Sequence, residues 1–388
     1  MVCPSAGGNA LIARRETATG PVVIVDMNAG IDVGHHRHWY DLLVAQVGPE
    51  REVVAIRGGE GAATIECCQG RPVRIEYVPE GESRAGWYRT ALVRATTYAP
   101  SAIVLTSGDD ALLAILLERR TLRRVQTHTR ALMFRLSPQP KFLGRLSYLV
   151  KVAGIGYLRF TLPDVSFYAL ELPVGRGSRI NRRVGIDSVF DSSGEEQVPA
   201  VGREVARTRS NLAHVQGPVF LTIGMLGRGK HVDTLLQAWQ LSGPIGGGVL
   251  LFAGQADSDT DRLLADSAEN IAGVEYRPGR LADDEFSWLL EAADLVCAVY
   301  RYSASSGVVL RALALGTRVL VGGSRPLESS LRGIPGVTIL TSVEPRRLAT
   351  ALREAIAHAS PAPANYVRPR NQFPGPLGRG LGSGDSSR

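Results

Sequence analysis

The stretch of this 388-residue chain best equipped for chemistry is a glycine-rich turn that carries two cations. In VFLTIGMLGRGKHVDTLLQA (219–238) a β-rich run ends at Gly224, and Arg228 and Lys230 stand just before an apolar helical pattern. Backbone N–H groups left free at such a strand-to-helix turn, with a lysine beside them, form an anion site suited to phosphate. Gly224–Lys230 also fits the G-x-x-x-x-G-K of a P-loop, but His231 stands where Ser or Thr would hold Mg²⁺. A P-loop nucleotide hydrolase is therefore a third-ranked reading, and a tight turn with a solvated lysine is the plain structural one. Ser305, Ser306 and Gly307 open a predicted helix after a buried strand, which makes a second place for phosphate. His128, in RRVQTHT, falls at the end of a predicted strand, where ligands of α/β sheets gather. Gly34 lets the backbone approach a ligand, and His35, His36 and His38 follow it. No carboxylate keeps a companion spacing with these histidines, so a surface loop is preferred to a metal site.

Alternating elements must position these residues. Between Pro218 and His358 six apolar runs (VFLTIG, GVLLFAG, GVEY, DLVCAVY, RVLVGG and GVTIL) alternate with helical patterns. Val232, Leu235, Leu236 and Trp239 mark the first helix at i, i+3, i+4, i+7. Strict alternation predicts a parallel, doubly wound sheet with ligands beyond the strands' carboxyl ends. The first half repeats the theme through PVVIVDM, REVVAIRG, VRIEYV, SAIVLTSG, RRVQTHT and VSFYAL, with helices at Trp39–Val47, Arg84–Thr97 and Ala111–Arg119 between them. The predicted organisation is a flexible N-terminus (1–20), a Rossmann-like domain (21–183), a connector (184–217), a second Rossmann-like domain (218–360) and a disordered Pro/Gly-rich tail (361–388).

Composition narrows the class. Hydrophobic residues make up 44% and charged residues 21%, an ordinary globular balance. No apolar run reaches the ~18 residues of a membrane span. Cys3, Cys67, Cys68 and Cys297 suit neither a disulfide scaffold nor a zinc site. The first residues lack the apolar core of a signal peptide, so a cytoplasmic location is expected. Charge is unevenly spread: Arg119–Arg183 holds fourteen Lys/Arg against Asp164 and Glu171, a local +12 in a chain whose total is +7. Such a patch favours an anionic partner, and no nucleic-acid motif accompanies it. In KFLGRLSYLVKVAGIGYLRF, Phe142, Leu146, Leu149, Val150 and Ala153 share one helical side, with Lys141, Arg145 and Lys151 elsewhere. That pattern is either a core helix with a solvated face or an amphipathic surface for an anionic membrane.

From Val219 to His358 the chain resembles the nucleotide-sugar-binding domain of the GT-B glycosyltransferases, in particular the retaining family four type. The family pattern G-R-L-x-x-x-K-G matches at Gly224, Leu226 and Lys230, with Met225 in place of the Arg and Arg228 close by. YSASSGVVLRALALGTRVLV resembles S-x-x-E-G-F-G-x-x-x-L-E-A-x-A-x-G-x-P-V-V through Leu310, Ala312, Ala314, Gly316 and Val319. The family's two glutamates fall on Ser303 and Arg311. The resemblance implies two Rossmann-like domains facing each other across a cleft, and sugar transfer from a nucleotide-sugar to a hydroxyl acceptor. It implies a donor diphosphate held by Gly224, Arg228, Lys230, Ser305, Ser306 and Gly307, with Arg311 toward the nucleotide or ribose. It further implies a catalytic role for His128 and acceptor contacts at Gly34 and His35. No metal or other cofactor is expected beyond the nucleotide-sugar co-substrate. A catalytically degenerate GT-B protein that binds a nucleotide-sugar or scaffolds an active partner is the alternative, motivated by the replaced glutamates.

Overall fold

The computed structural model describes residues 20–27, 35–68, 70–81, 83–125, 127–133, 142–171, 187–190, 200–227, 229–303 and 306–357. It divides into two compact units, the first essentially Met1–Leu170 with Gly177–Phe190, the second essentially Asp191–Arg370.

The first unit holds β1 (Val22–Asp26), α1 (His35–Gln46), β2 (Val53–Gly58), β3 (Thr64–Cys68), β4 (Arg71–Val78), α2 (Arg84–Thr96), β5 (Ala102–Leu105), α3 (Gly108–Leu117), α4 (Arg119–Val125), β6 (His128–Met133), α5 (Phe142–Thr161), β7 (Val165–Glu171) and β8 (Asp187–Phe190). Its sheet runs β3-β4-β2-β1-β5-β6-β7-β8. Every pair from β4 to β7 is parallel, and β3 runs antiparallel to β4. The hairpin β3–β4 is an addition that the strand pattern of the sequence did not reveal. All five residues of β1 are buried, as a strand covered on both faces requires. One face packs on Tyr40, Leu43 and Val44 of α1, the other on Trp87, Leu92, Ile115 and Leu158 from α2, α3 and α5.

The second unit follows with α6 (Arg203–Arg209), β9 (Val219–Ile223), α7 (Val232–Ser242), β10 (Val249–Gly254), α8 (Ser258–Asn270), β11 (Val274–Pro278), α9 (Asp283–Ala292), β12 (Leu295–Val299), α10 (Gly307–Ala314), β13 (Arg318–Gly322), α11 (Arg325–Leu331), β14 (Val337–Ile339) and α12 (Pro345–Ala357). All six predicted strands are present, in the order β11-β10-β9-β12-β13-β14, and every pair is parallel. This is the doubly wound order in which the chain leaves β9 toward one edge and resumes at β12 toward the other, so a crevice opens where those two strands end. Helices α7, α8 and α12 cover one face, and α6, α9, α10 and α11 the other.

Two expectations are corrected. RRVQTHT is not a strand. Arg119–Val125 is helical, in keeping with the helix propensity of Arg and Leu, and β6 starts only at His128. His128 therefore pairs with Ala102, the first residue of β5, at the amino ends of the strands. Residues 200–217 are more than a connector, since Ala206, Leu212 and Val215 belong to the second unit's core. Glu291 receives the N–H groups of Val201 and Gly202 at 3.0 and 2.6 Å and so ties this stretch to α9. Of the two readings open for its apolar side, α5 shows the exposed one: it turns Tyr148, Ile155 and Leu158 inward, while Leu146, Leu149, Val150, Tyr157 and Phe160 are exposed.

Phe220 and Trp239 lock β9 to α7, edge to face at 5.3 Å, and the buried indole N–H donates to the Ala272 carbonyl at 3.0 Å. Trp239→Ala should cost about 3–5 kcal/mol of unfolding free energy, the scale for deleting a buried aromatic, read by chemical denaturation. A loss below 1 kcal/mol would contradict this packing.

Candidate functional site

At the carboxyl end of β9 the backbone turns sharply at Gly224, whose φ of 95° lies in the left-handed region. The turn is pinned from two sides. The Gly224 N–H donates to the Ala253 carbonyl at 2.9 Å, and Leu226 N–H to the Gln255 carbonyl at 2.6 Å, along the end of β10. On the other side His231 N–H donates to the Val299 carbonyl at 3.0 Å, and Arg301 N–H to the Gly229 carbonyl at 2.8 Å, which fastens the turn to the end of β12. Gly254 must be glycine, because a Cβ there would lie 2.1 Å from the Gly224 carbonyl oxygen. The turn thus sits at the crossover point of the sheet.

Lys230 does not open the following helix. His231 is the cap residue, and α7 begins at Val232. The Lys230 ammonium folds back under the turn, donates to the Ile223 carbonyl and lies 5.6 Å from the centre of the Tyr300 ring. No carboxylate contributes to its electrostatics, and burial alone brings its pKa down to about 7. A Cβ on Gly224 would be 3.5 Å from Lys230 Nζ and 3.9 Å from Val308 Cγ2, so the turn, the ammonium and the first turn of α10 converge on one point. Ser306 caps α10: its hydroxyl accepts from Val309 N–H at 3.4 Å and shares a hydrogen bond of 3.1 Å with the Tyr300 hydroxyl. Tyr300 thereby carries Lys230 on its ring and steadies the helix cap with its oxygen. Helix geometry leaves the N–H groups of Gly307 and Val308 without an intrahelical acceptor. His231, the residue after Lys230, is held toward the neutral form, first by burial and then by the nearby Arg301.

The structure therefore brings together Gly224, Lys230, Ser306 and Gly307. Arg228, Ser305 and Gly34 lie outside the described residues, as do the side chains of His35, His36 and His38. Arg311 sits one turn into α10, its guanidinium 5.5 Å from the centre of the Phe286 ring on α9. Ser303 is clamped by Ser324, whose hydroxyl accepts from its N–H at 2.9 Å and donates to its carbonyl at 2.6 Å. His128, at the amino end of β6, is at the opposite end of its sheet from the carboxyl ends where ligands bind, which removes the geometric ground for a catalytic role. Tyr300 was missed as a site residue. Its neighbours in DLVCAVY mark it only as the end of a strand. Among the described residues no group of three or more His, Cys, Asp or Glu is arranged to hold a metal ion.

Comparison with solved structures fixes the fold. Sucrose-phosphate synthase from Thermosynechococcus elongatus superposes with a TM-score of 0.61 at 14% identity, covering 87% of this chain and 90% of that one. The UDP-forming α,α-trehalose-phosphate synthase of Burkholderia xenovorans gives 0.59 at 10% identity over 87% and 92%. HepE of Anabaena, solved with UDP and glucose, gives 0.58 at 13% over 87% and 90%. The chain has the GT-B fold. No protein-family model and no curated protein matches its sequence.

The buried ammonium sets a pH signature. The unfolded chain holds the Lys230 proton up to about pH 10.5, the folded chain only up to about 7. Between those values the unfolded state binds more protons, so stability rises with pH; below 7 the penalty is complete. Lys230→Met should raise stability at pH 7 by about 1–3 kcal/mol, the cost of desolvating an unpaired polar group, and remove that part of the slope. Equilibrium unfolding of both proteins from pH 6 to 10 checks it; parallel curves would refute it.

Proposed function

We propose that the protein is a glycosyltransferase that moves a sugar from a nucleotide-sugar to a hydroxyl acceptor in glycan, glycolipid or cell-surface polysaccharide synthesis. The observation that carries this reading is the Lys230 ammonium, buried without a carboxylate where the Gly224 turn meets the first turn of α10. An ammonium has three N–H donors. One is used on the Ile223 carbonyl, and two remain for a diphosphate seated against Gly307 and Val308. Charge grows on the leaving diphosphate as the glycosidic bond stretches, so fixed positive charge and helix N–H groups stabilise the transition state more than the ground state. These groups do the work that a divalent cation does in other transferases, and the reading therefore includes metal independence. The GT-B likeness over 87% of the chain supports it, and HepE has been solved with UDP and with UDP-glucose.

The replaced glutamates favour one competitor, a GT-B protein that binds a nucleotide-sugar without transferring it. Ser303 is engaged by Ser324 and Arg311 stacks on Phe286, so neither position offers a carboxylate. Titration calorimetry with UDP-, GDP- and ADP-glucose, run beside a turnover assay, separates the two: tight binding without product supports the binder.

The acceptor partner is proposed to be lipid-linked, reached by contact with an anionic membrane. The exposed stripe of α5 runs Leu146, Leu149, Val150, Tyr157 and Phe160, the last 89% exposed, within the basic region 119–183. Charge and apolar surface together bind anionic bilayers. No helix among the described residues is long and apolar enough to cross one.

Two outcomes follow. Lys230→Ala should weaken donor binding by about 1.5–3 kcal/mol, the scale of a charge-assisted hydrogen bond, and wild-type affinity for a nucleotide-sugar should fall as pH rises through 7 because the protonated lysine is the binding form. Unchanged affinity in the variant would place the diphosphate elsewhere. Leu149→Asp with Phe160→Asp should cut sedimentation with vesicles containing phosphatidylglycerol at least fivefold; equal sedimentation of the two proteins, or a loss of dimers instead, would refute the membrane contact.

A further inference from the structure

Arg57 is the penultimate residue of β2, at the carboxyl end of the first unit's sheet and next to β1 in register with Asp26. Its side chain is only 3% exposed. One amino group, Nη1, donates to both oxygens of Glu66 at 3.1 and 2.9 Å. The opposite edge of the guanidinium, Nε and Nη2, is buried and has no hydrogen-bond partner among the described residues. Tyr40, from the second turn of α1, lies over the guanidinium with its ring centre 4.9 Å away, and its buried hydroxyl interacts with Arg57 and has no other hydrogen-bond partner among those residues. Burial keeps that hydroxyl protonated, with its pKa pushed well above the ordinary tyrosine value. Other acids of this unit are paired with cations, Glu76 with Arg74 and Arg94, Glu118 with Arg89, and Asp109 with Lys151, but those arginines are about half exposed, whereas Arg57 is buried.

Two N–H groups on one planar edge match two oxygens of a single carboxylate or phosphate, and leaving them empty in a buried site is costly. Glu66, 37% exposed, offsets the charge on the far side without blocking this edge. We infer that Arg57 and Tyr40 form an anion subsite in the first unit, which takes a phosphate or carboxylate group carried by the acceptor. The acceptor assignment rests on the transferase reading, whereas the subsite itself does not.

The test uses inorganic phosphate and acetate, each against chloride at equal ionic strength, on full-length protein carrying Lys230→Met so that the lysine of the donor turn contributes nothing. Either anion should raise the melting temperature measurably above the chloride control; phosphate alone or acetate alone names the group. Arg57→Lys keeps the charge but loses the planar edge, and should abolish that rise. Tyr40→Phe should reduce it. An equal rise in Arg57→Lys, or no anion-specific rise before that substitution, overturns the subsite, as would a crystal grown in phosphate with only water on Nε and Nη2. If the subsite holds and the acceptor role fails, phosphate will bind without competing with acceptor in turnover assays; loss of donor binding in the wild type would instead sink the transferase reading alone.

Discussion

An ammonium held inside the protein with no acid to balance it is the constraint around which the second unit is arranged. Lys230 can stay there because the chain around it offers the Ile223 carbonyl and the face of Tyr300, and because Gly224, which it approaches, has no side chain. Each of those partners is itself fixed by the sheet. Ile223 ends β9, Tyr300 follows β12, and these neighbours are the strands at which the winding direction reverses. A parallel sheet built on any other order would separate the carbonyl from the ring. The desolvation penalty is therefore an argument about purpose as much as position, since an uncompensated buried cation costs stability that a bound anion returns.

The second half of the fold was legible in the sequence for a simple reason. Its strands are short runs of Val, Leu, Ile and Ala buried on both faces, and its helices carry regular apolar stripes, so local preference and tertiary role agree. The first half is less consistent. RRTLRRV mixes the β-branched Thr121 and Val125 with helix-forming Arg and Leu, and the helix wins, which moves His128 to the wrong end of its strand for chemistry. Thr64–Cys68 carries Glu66 and two cysteines rather than an alternating apolar pattern, because it is an edge strand with exposed residues on it. On α5 the apolar periodicity was visible, yet periodicity does not say which stripe faces inward when both sides of a helix are rich in Leu, Val and Tyr.

Of the candidate site, the glycines and Lys230 were legible because their types are unusual for the end of a strand. Tyr300 and Arg57 were not, and the reason is common to both. Each stands at the end of a buried strand, where any large residue reads as core, and its significance lies in a contact made across the fold: Tyr300 with Lys230 and Ser306, Arg57 with Tyr40 and Glu66. Only three-dimensional accounting of donors and acceptors brings such residues forward.

The same accounting bears on the missing glutamates. In a site that binds its donor through carboxylates, positive charge near the diphosphate must be strong enough to offset them. Here both positions lack an acid, with the Ser303 backbone held by the Ser324 hydroxyl and Arg311 adding a cation to α10. On the transferase reading, a lysine whose hold on the proton is weakened by burial regains it when a diphosphate arrives. On that reading, binding and protonation are one event, and the negative charge that grows on the diphosphate as its bond to the sugar breaks strengthens the lysine's hold on the proton.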